Sequence, residues 1–166
     1  MAACLLVPAA VLAMETLAGC LPWRRRAPSP RRVRTAVLVP AHDEERGIAA
    51  TISALLAPGE LGPGDRVVVV ADNCSDGTAA AARRALPSST PEGPSLDVIE
   101  RHDPERRGKG FALSFGLDHL RADAPDVVIV VDADCRVEPG GLVTLAAQAS
   151  ATGRPIQADH ILTAPS

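Results

Sequence analysis

Residues 127–135 read VVIVVDADC. Five β-branched residues in a row, Val127 to Val131, end abruptly on Asp132-Ala133-Asp134. A short run that is apolar throughout reads as a strand buried on both faces. Two carboxylates one residue apart at its tip repel each other and raise each other's pKa, unless a cation sits between them.

The same pattern recurs upstream. TAVLV (35–39), RVVVVA (66–71) and the weaker LDVIE (96–100) read as strands, and the fourth is DVVIVV (126–131). Between them, ERGIAATISALLA (45–57) carries Ile48, Ile52, Leu55 and Leu56 at helical spacing. DGTAAAARRAL (76–86) reads as a helix with Ser75 or Asp76 as N-cap, and GKGFALSFGLDHL (108–120) as another. PGELGPGD is a turn cluster, PSSTPEGPS (87–95) is a loop, and PGGLVTLAAQA (139–149) opens a last helix with Pro139 in its first turn. Strands alternating with helices predict an α/β fold, a Rossmann-like parallel sheet covered on both faces. Ligands of such sheets bind beyond the carboxyl ends of the strands.

Four polar clusters follow the four strands. They are Pro40-Ala41-His42-Asp43-Glu44-Glu45, Asp72-Asn73-Cys74-Ser75-Asp76-Gly77, Arg101-His102-Asp103 with Arg106-Arg107-Gly108-Lys109-Gly110, and Asp132-Ala133-Asp134. One edge of the sheet would then hold several carboxylates, a lysine and a glycine-flanked helix start. Mg²⁺ and Mn²⁺ take oxygen ligands and are shared between one or two carboxylates and substrate phosphates. Lys109 would meet a phosphate beside free helix N–H groups, with Arg107 close enough to help. Asp76 reads as a helix cap, and His42, His102 and His119 read as ordinary polar residues.

Composition narrows the classes. The 166 residues are 46% hydrophobic but 2% aromatic, with no Tyr, so the core must come from Val, Leu, Ile and Ala. Six of the 17 basic residues lie in RRRAPSPRRVR (24–34), leaving 11 against 20 acids elsewhere. No aromatic–basic interleaving supports nucleic-acid binding. The four cysteines (Cys4, Cys20, Cys74 and Cys135) form no C-x-x-C pair and read as free thiols.

Residues 1–23 are almost wholly apolar, with Glu15 the one charge. They are expected to form a transmembrane anchor, with Trp23 at the interface. Residues 24–34 follow as a basic juxtamembrane linker, which places the remainder on the cytoplasmic side of the inner membrane. A signal peptide lacks its basic start here, a Leu17-Ala18-Gly19-Cys20 lipobox fits poorly for the same reason, and a buried or surface-lying helix is the other rival.

Taken in order, VLVPAHDEERGIAATI, VVVVADNCSDGTA, RRGKGFAL and VVIVVDADCRVEPG resemble the family 2 glycosyltransferases with the GT-A fold, over about residues 35–140. The resemblance implies inverting transfer of a sugar from a nucleotide-diphosphate donor, with UDP- put ahead of GDP-sugars, aided by Mg²⁺ or Mn²⁺. It implies that Ala41, Glu44 and Asp72 line the base and ribose pocket. Lys109 and Gly110 would lie near the donor. Asp132, with Ala133 beside it, would contact donor sugar or ribose, and Asp134 would hold the metal with Asp132. Asp43 stands where many relatives have Asn. The apolar start is similar to that of membrane-associated members that build polysaccharides.

The expected organisation is an anchor (1–23), a linker (24–34), a nucleotide-sugar-binding half (35–150) and the start of a truncated acceptor region (151–166). In this family the general base comes well after the D-x-D, so it is expected beyond residue 166. Neither Asp159 nor His160 is assigned that role. An incomplete sheet would leave an apolar edge and poor solubility, even without residues 1–23. The alternative reading is a membrane-anchored nucleotide-sugar-binding protein without catalysis, or a subunit that needs a partner chain for the missing half. A nucleotidyltransferase would carry its Gly-rich loop after strand one, where PAHDEE stands, and a dehydrogenase would carry G-x-G-x-x-G there.

Overall fold

The computed structural model describes residues 2–20, 32–85 and 93–159. The elements in chain order are α1 (Ala2–Cys20), β1 (Thr35–Ala41), α2 (Ile48–Leu55), β2 (Arg66–Asp72) and α3 (Thr78–Arg84). They continue with β3 (Ser95–Arg101), α4 (Lys109–Leu120), a 3₁₀ turn (Arg121–Asp123), β4 (Val127–Val130) and α5 (Gly141–Thr152).

The sheet is parallel throughout, in the order β3-β2-β1-β4. Strand alternation sends Val37, Val39, Val67, Val69 and Ile129 to one face. There they pack with Ile48, Ile52 and Leu55 of α2, Ala81 and Ala82 of α3, and Leu142 and Ala146 of α5. Ala36, Leu38, Val68 and Val70 go to the other face, beneath Ala112 and Leu120 of α4. Small residues let the helices sit close. A Cβ added to Gly116 would strike Leu38 and come within 2.9 Å of Val70 Cγ2. Gly116→Ala is therefore expected to cost about 1–3 kcal/mol, because a packed core resists an added methyl. An unchanged urea midpoint would contradict that packing.

Chain order reverses between β1 and β4, since β2 and β3 lie on one side of β1 and β4 on the other. A crevice opens at such a reversal, beyond the carboxyl ends of the strands. β4 forms an edge, and Val128 and Val130 are exposed on its α4 side.

Two expectations change. Residues 1–23 were expected to span a membrane, yet among the described residues no helix is long and apolar enough to do so. Helix α1 has 19 residues, about 28 Å at about 1.5 Å per residue, against a hydrocarbon core of about 30 Å. It also contains Pro8, and Glu15 would lie within the apolar layer. Trp23 and Arg24–Arg26 lie outside the described residues, as do loop residues 86–92 and His160. The last helix begins two residues beyond Pro139, because Gly140 takes a left-handed conformation (φ 79°) at its N-cap.

Candidate functional site

The tips of β1, β2 and β4 and the start of α4 enclose an open cavity of ≈ 520 Å³. Seven sequence-predicted residues line it: Ala41, Glu44, Asp72, Lys109, Asp132, Ala133 and Asp134. Gly110 does not. Arg107 and Gly108 line it as well, together with His42 and Asn73. His42 is thus part of the cavity wall and not a background residue.

The D-x-D segment is fixed from both sides. Val131 N–H donates to Leu38 O, continuing the β4–β1 ladder one residue past the strand. Ala133 is buried, and its carbonyl accepts the Thr51 hydroxyl at 2.6 Å. Cys135 N–H then turns back to Asp132 O at 3.0 Å. With Ala133 pinned inward, the flanking Asp132 and Asp134 are left facing the cavity. Asp132 is paired with Lys109 Nζ. Asp134 is exposed and, among the described residues, has no hydrogen-bond or ion-pair partner. An oxygen-only pair with one carboxylate uncompensated fits a hard divalent cation, whose remaining ligands would be phosphate and water.

Asp72 is held differently. It is buried, and its Oδ1 accepts from Arg101 Nη1 at 2.6 Å and from Asn73 Nδ2 at 3.1 Å. Arg101 also reaches Asp103 at 3.1 Å and lies over the Phe111 ring, 5.6 Å from its centroid. Asn73 takes φ 52° and locks both neighbours: its N–H donates to Arg101 O, and its side-chain oxygen accepts Asp103 N–H. Lys109 is the first residue of α4, after Gly108 at φ 110°. The first N–H groups of a helix lack partners within it, so an anion at this end meets them together with Lys109.

The β1–α2 and β2–α3 loops are tied to each other. Asp43, at φ 55°, accepts Ser75 N–H at 2.6 Å. Asp76 accepts Thr78 N–H at 2.9 Å and Glu45 N–H at 3.1 Å. Gly77 occupies the N-cap position proper, so Asp76 works from one residue further out. The Ser75 N–H bond pulls the Asp43 carboxyl below its usual range, and the Thr78 hydroxyl does the same for Asp76. Arg34 lowers Asp123 likewise. Depressed carboxyl groups contribute stability that is present above about pH 4 and is lost as pH falls through their folded values. The urea midpoint is therefore expected to drop below pH 4, and Asp43→Asn with Asp76→Asn to flatten that drop. An unaltered acid limb in the double variant would contradict these bonds.

Two contributors were not legible in the sequence. Glu60, inside the presumed turn cluster, is buried and accepts Gly140 N–H and Leu142 N–H (3.2 Å for the latter), capping α5 from 80 residues away. Arg101 was visible as a strand-end residue, but its pairing with Asp72 depends on the β2–β3 register.

A family model described as Glycosyl transferase family 2 matches residues 36–160. Among solved structures, a mannosyltransferase from Pyrobaculum calidifontis, in complex with GDP-mannose and Mn²⁺, is 28% identical with a TM-score of 0.65. That alignment covers 89% of this chain and 40% of the other. Glucosyl-3-phosphoglycerate synthase from Mycobacterium tuberculosis is 25% identical with a TM-score of 0.50, over 69% of this chain and 40% of the other. The chain thus spans about 40% of the length of each structure. No curated protein matches it. With the D-x-D on the tip of β4, the cavity at the strand-order reversal and a match over residues 36–160, this chain belongs to glycosyl transferase family 2.

Proposed function

We propose that the cavity binds a nucleotide-diphosphate sugar with Mg²⁺ or Mn²⁺, and that the protein takes part in inverting sugar transfer in polysaccharide or glycoconjugate synthesis. The observation that carries this reading is Asp134, unpartnered among the described residues, beside Asp132 and in one cavity with Lys109 and Asp72. The Pyrobaculum relative, with its GDP-mannose and Mn²⁺, supports it by similarity. Because that relative holds a GDP-sugar, UDP is given no preference over GDP.

In this reading each residue has a defined task. Asp72, oriented by Arg101, accepts a hydrogen bond from the base or ribose, and Ala41 and Glu44 border the same pocket. A divalent cation bound at Asp134 and Asp132 would neutralise the diphosphate and favour its departure. Lys109 neutralises Asp132 and, at the mouth of α4, can turn to a phosphate oxygen, with Arg107 nearby. The acceptor hydroxyl needs a general base within hydrogen-bond reach, a role assigned to none of the described residues.

Incubating the full chain with UDP-glucose or GDP-mannose and Mn²⁺, and following release of free nucleotide, tests the reading. Slow release that disappears in Asp132→Ala is expected. Binding without release would favour a non-catalytic donor-binding subunit, and neither binding nor release would overturn the proposal.

A further inference from the structure

A second group of ligating side chains stands at the cavity mouth. His42, Asp43 and Cys74 each present one ligand atom, and these atoms lie within 4.8 Å of one another. They follow the tips of the paired strands β1 and β2. The donors are an imidazole nitrogen, a carboxylate oxygen and a sulfur. That set is softer than the all-oxygen pair Asp132/Asp134 and suits Zn²⁺ better than Mg²⁺ or Mn²⁺.

Each of the three side chains is tied to the backbone of β1, β2 or the loop after β2. His42 Nδ1 lies 2.7 Å from the Asp72 carbonyl. A carbonyl only accepts, so Nδ1 carries a proton, and a neutral ring would leave Nε2 free to ligate, as in metal-ligating histidines. Nε2 is 3.7 Å from Asp43 Oδ2. A tetrahedral zinc with bonds of about 2.0 Å separates its nitrogen and oxygen ligands by about 3.3 Å, so a small side-chain turn closes the gap. Asp43 is anchored through Ser75 N–H and Oγ. The Cys74 thiol donates to Ala41 O at 3.6 Å and lies 3.9 Å from the Asp72 carbonyl that holds His42, a donation that ligation as a thiolate would replace.

We propose that His42, Asp43 and Cys74 bind a Zn²⁺-class cation, with a fourth position open to water, at the mouth of the cavity. On binding, the Cys74 thiol gives its proton to solvent and the thiolate ligates, so affinity rises with pH. No oxidation is involved. His42 also lines the cavity, so occupancy fixes its ring and places positive charge beside Glu44 and Asp72. The proposal stands on these three residues and does not depend on the donor reading.

Co²⁺ titration of the full chain is the test. A near-ultraviolet thiolate charge-transfer band and strong visible bands of tetrahedral Co²⁺ are expected at one equivalent, displaced by Zn²⁺. Cys74→Ser should abolish the charge-transfer band, and His42→Ala should weaken Zn²⁺ binding by at least about tenfold. Asp134→Ala should leave the charge-transfer band unchanged. His42 is exposed, so its variant remains informative if Cys74→Ser unfolds. Absence of the band from folded wild-type protein would overturn the proposal. So would a band that survives Cys74→Ser, which would then belong to another cysteine, or His42→Ala binding Zn²⁺ as tightly as wild type.

Discussion

Asp134→Ala is expected to weaken Mn²⁺-dependent nucleotide binding by at least about 100-fold, beyond the about 10–100-fold seen when a supporting contact to a metal ligand is lost. The reason lies in how the two carboxylates differ. Asp132 already has a cation, Lys109, whereas Asp134 has no partner among the described residues. Removing Asp134 takes away the uncompensated charge and leaves a neutral Asp132–Lys109 pair, which has little call on a metal. Lys109→Ala acts in the opposite sense on the metal. It frees Asp132, so Mn²⁺ alone should bind tighter, while the diphosphate loses one positive contact. Calorimetry of both variants with Mn²⁺ and a nucleoside diphosphate checks this. Equal losses in the two would mean that Lys109 does not compensate Asp132.

Arg101→Met should give the largest loss of stability. Arg101 and Asp72 form an ion pair with side chains only 10% and 7% exposed. Removing one member of a buried pair leaves the other charged and unsatisfied, at a cost of about 3–5 kcal/mol. For a domain of this size that corresponds to a fall in Tm of roughly 10 °C. Asp72→Asn in the same background should recover part of the loss, because the stranded charge goes with it. Nucleotide binding should not return in full with stability, since the amide oxygen left by Asp72→Asn is a weaker acceptor than the carboxylate and is no longer oriented by Arg101. A fall in Tm under about 2 °C for Arg101→Met would place the pair in solvent and weaken the claim that Asp72 is pre-oriented.

The strands and the cavity were legible because both rest on short-range rules. Runs such as Val67–Val70 admit little except a doubly buried strand, and parallel topology then sends every strand tip to one edge. Seven of the eight residues expected at a donor site line one cavity, six at or beyond strand tips and Lys109 at the start of α4. Gly110, the second residue of α4, does not line it. What stayed hidden depends on chain segments far apart. Glu60 reaches α5 across 80 residues, and His42 becomes a cavity residue through the Asp72 carbonyl on the neighbouring strand. The N-terminal segment shows a difference between composition and described helix. Its composition is that of a membrane span, while the described helix covers Ala2–Cys20 and holds Pro8 within it.

The central claim is that the β1–β4 crevice is a metal-dependent nucleotide-diphosphate site. Calorimetric titration of the full chain with UDP and with GDP, each with and without Mn²⁺, tests it most directly. At least one nucleotide should bind, and tighter with Mn²⁺ than without, with the Mn²⁺ effect abolished in Asp134→Ala. Folded protein that binds neither nucleotide, or binds one equally well with and without Mn²⁺, would contradict it.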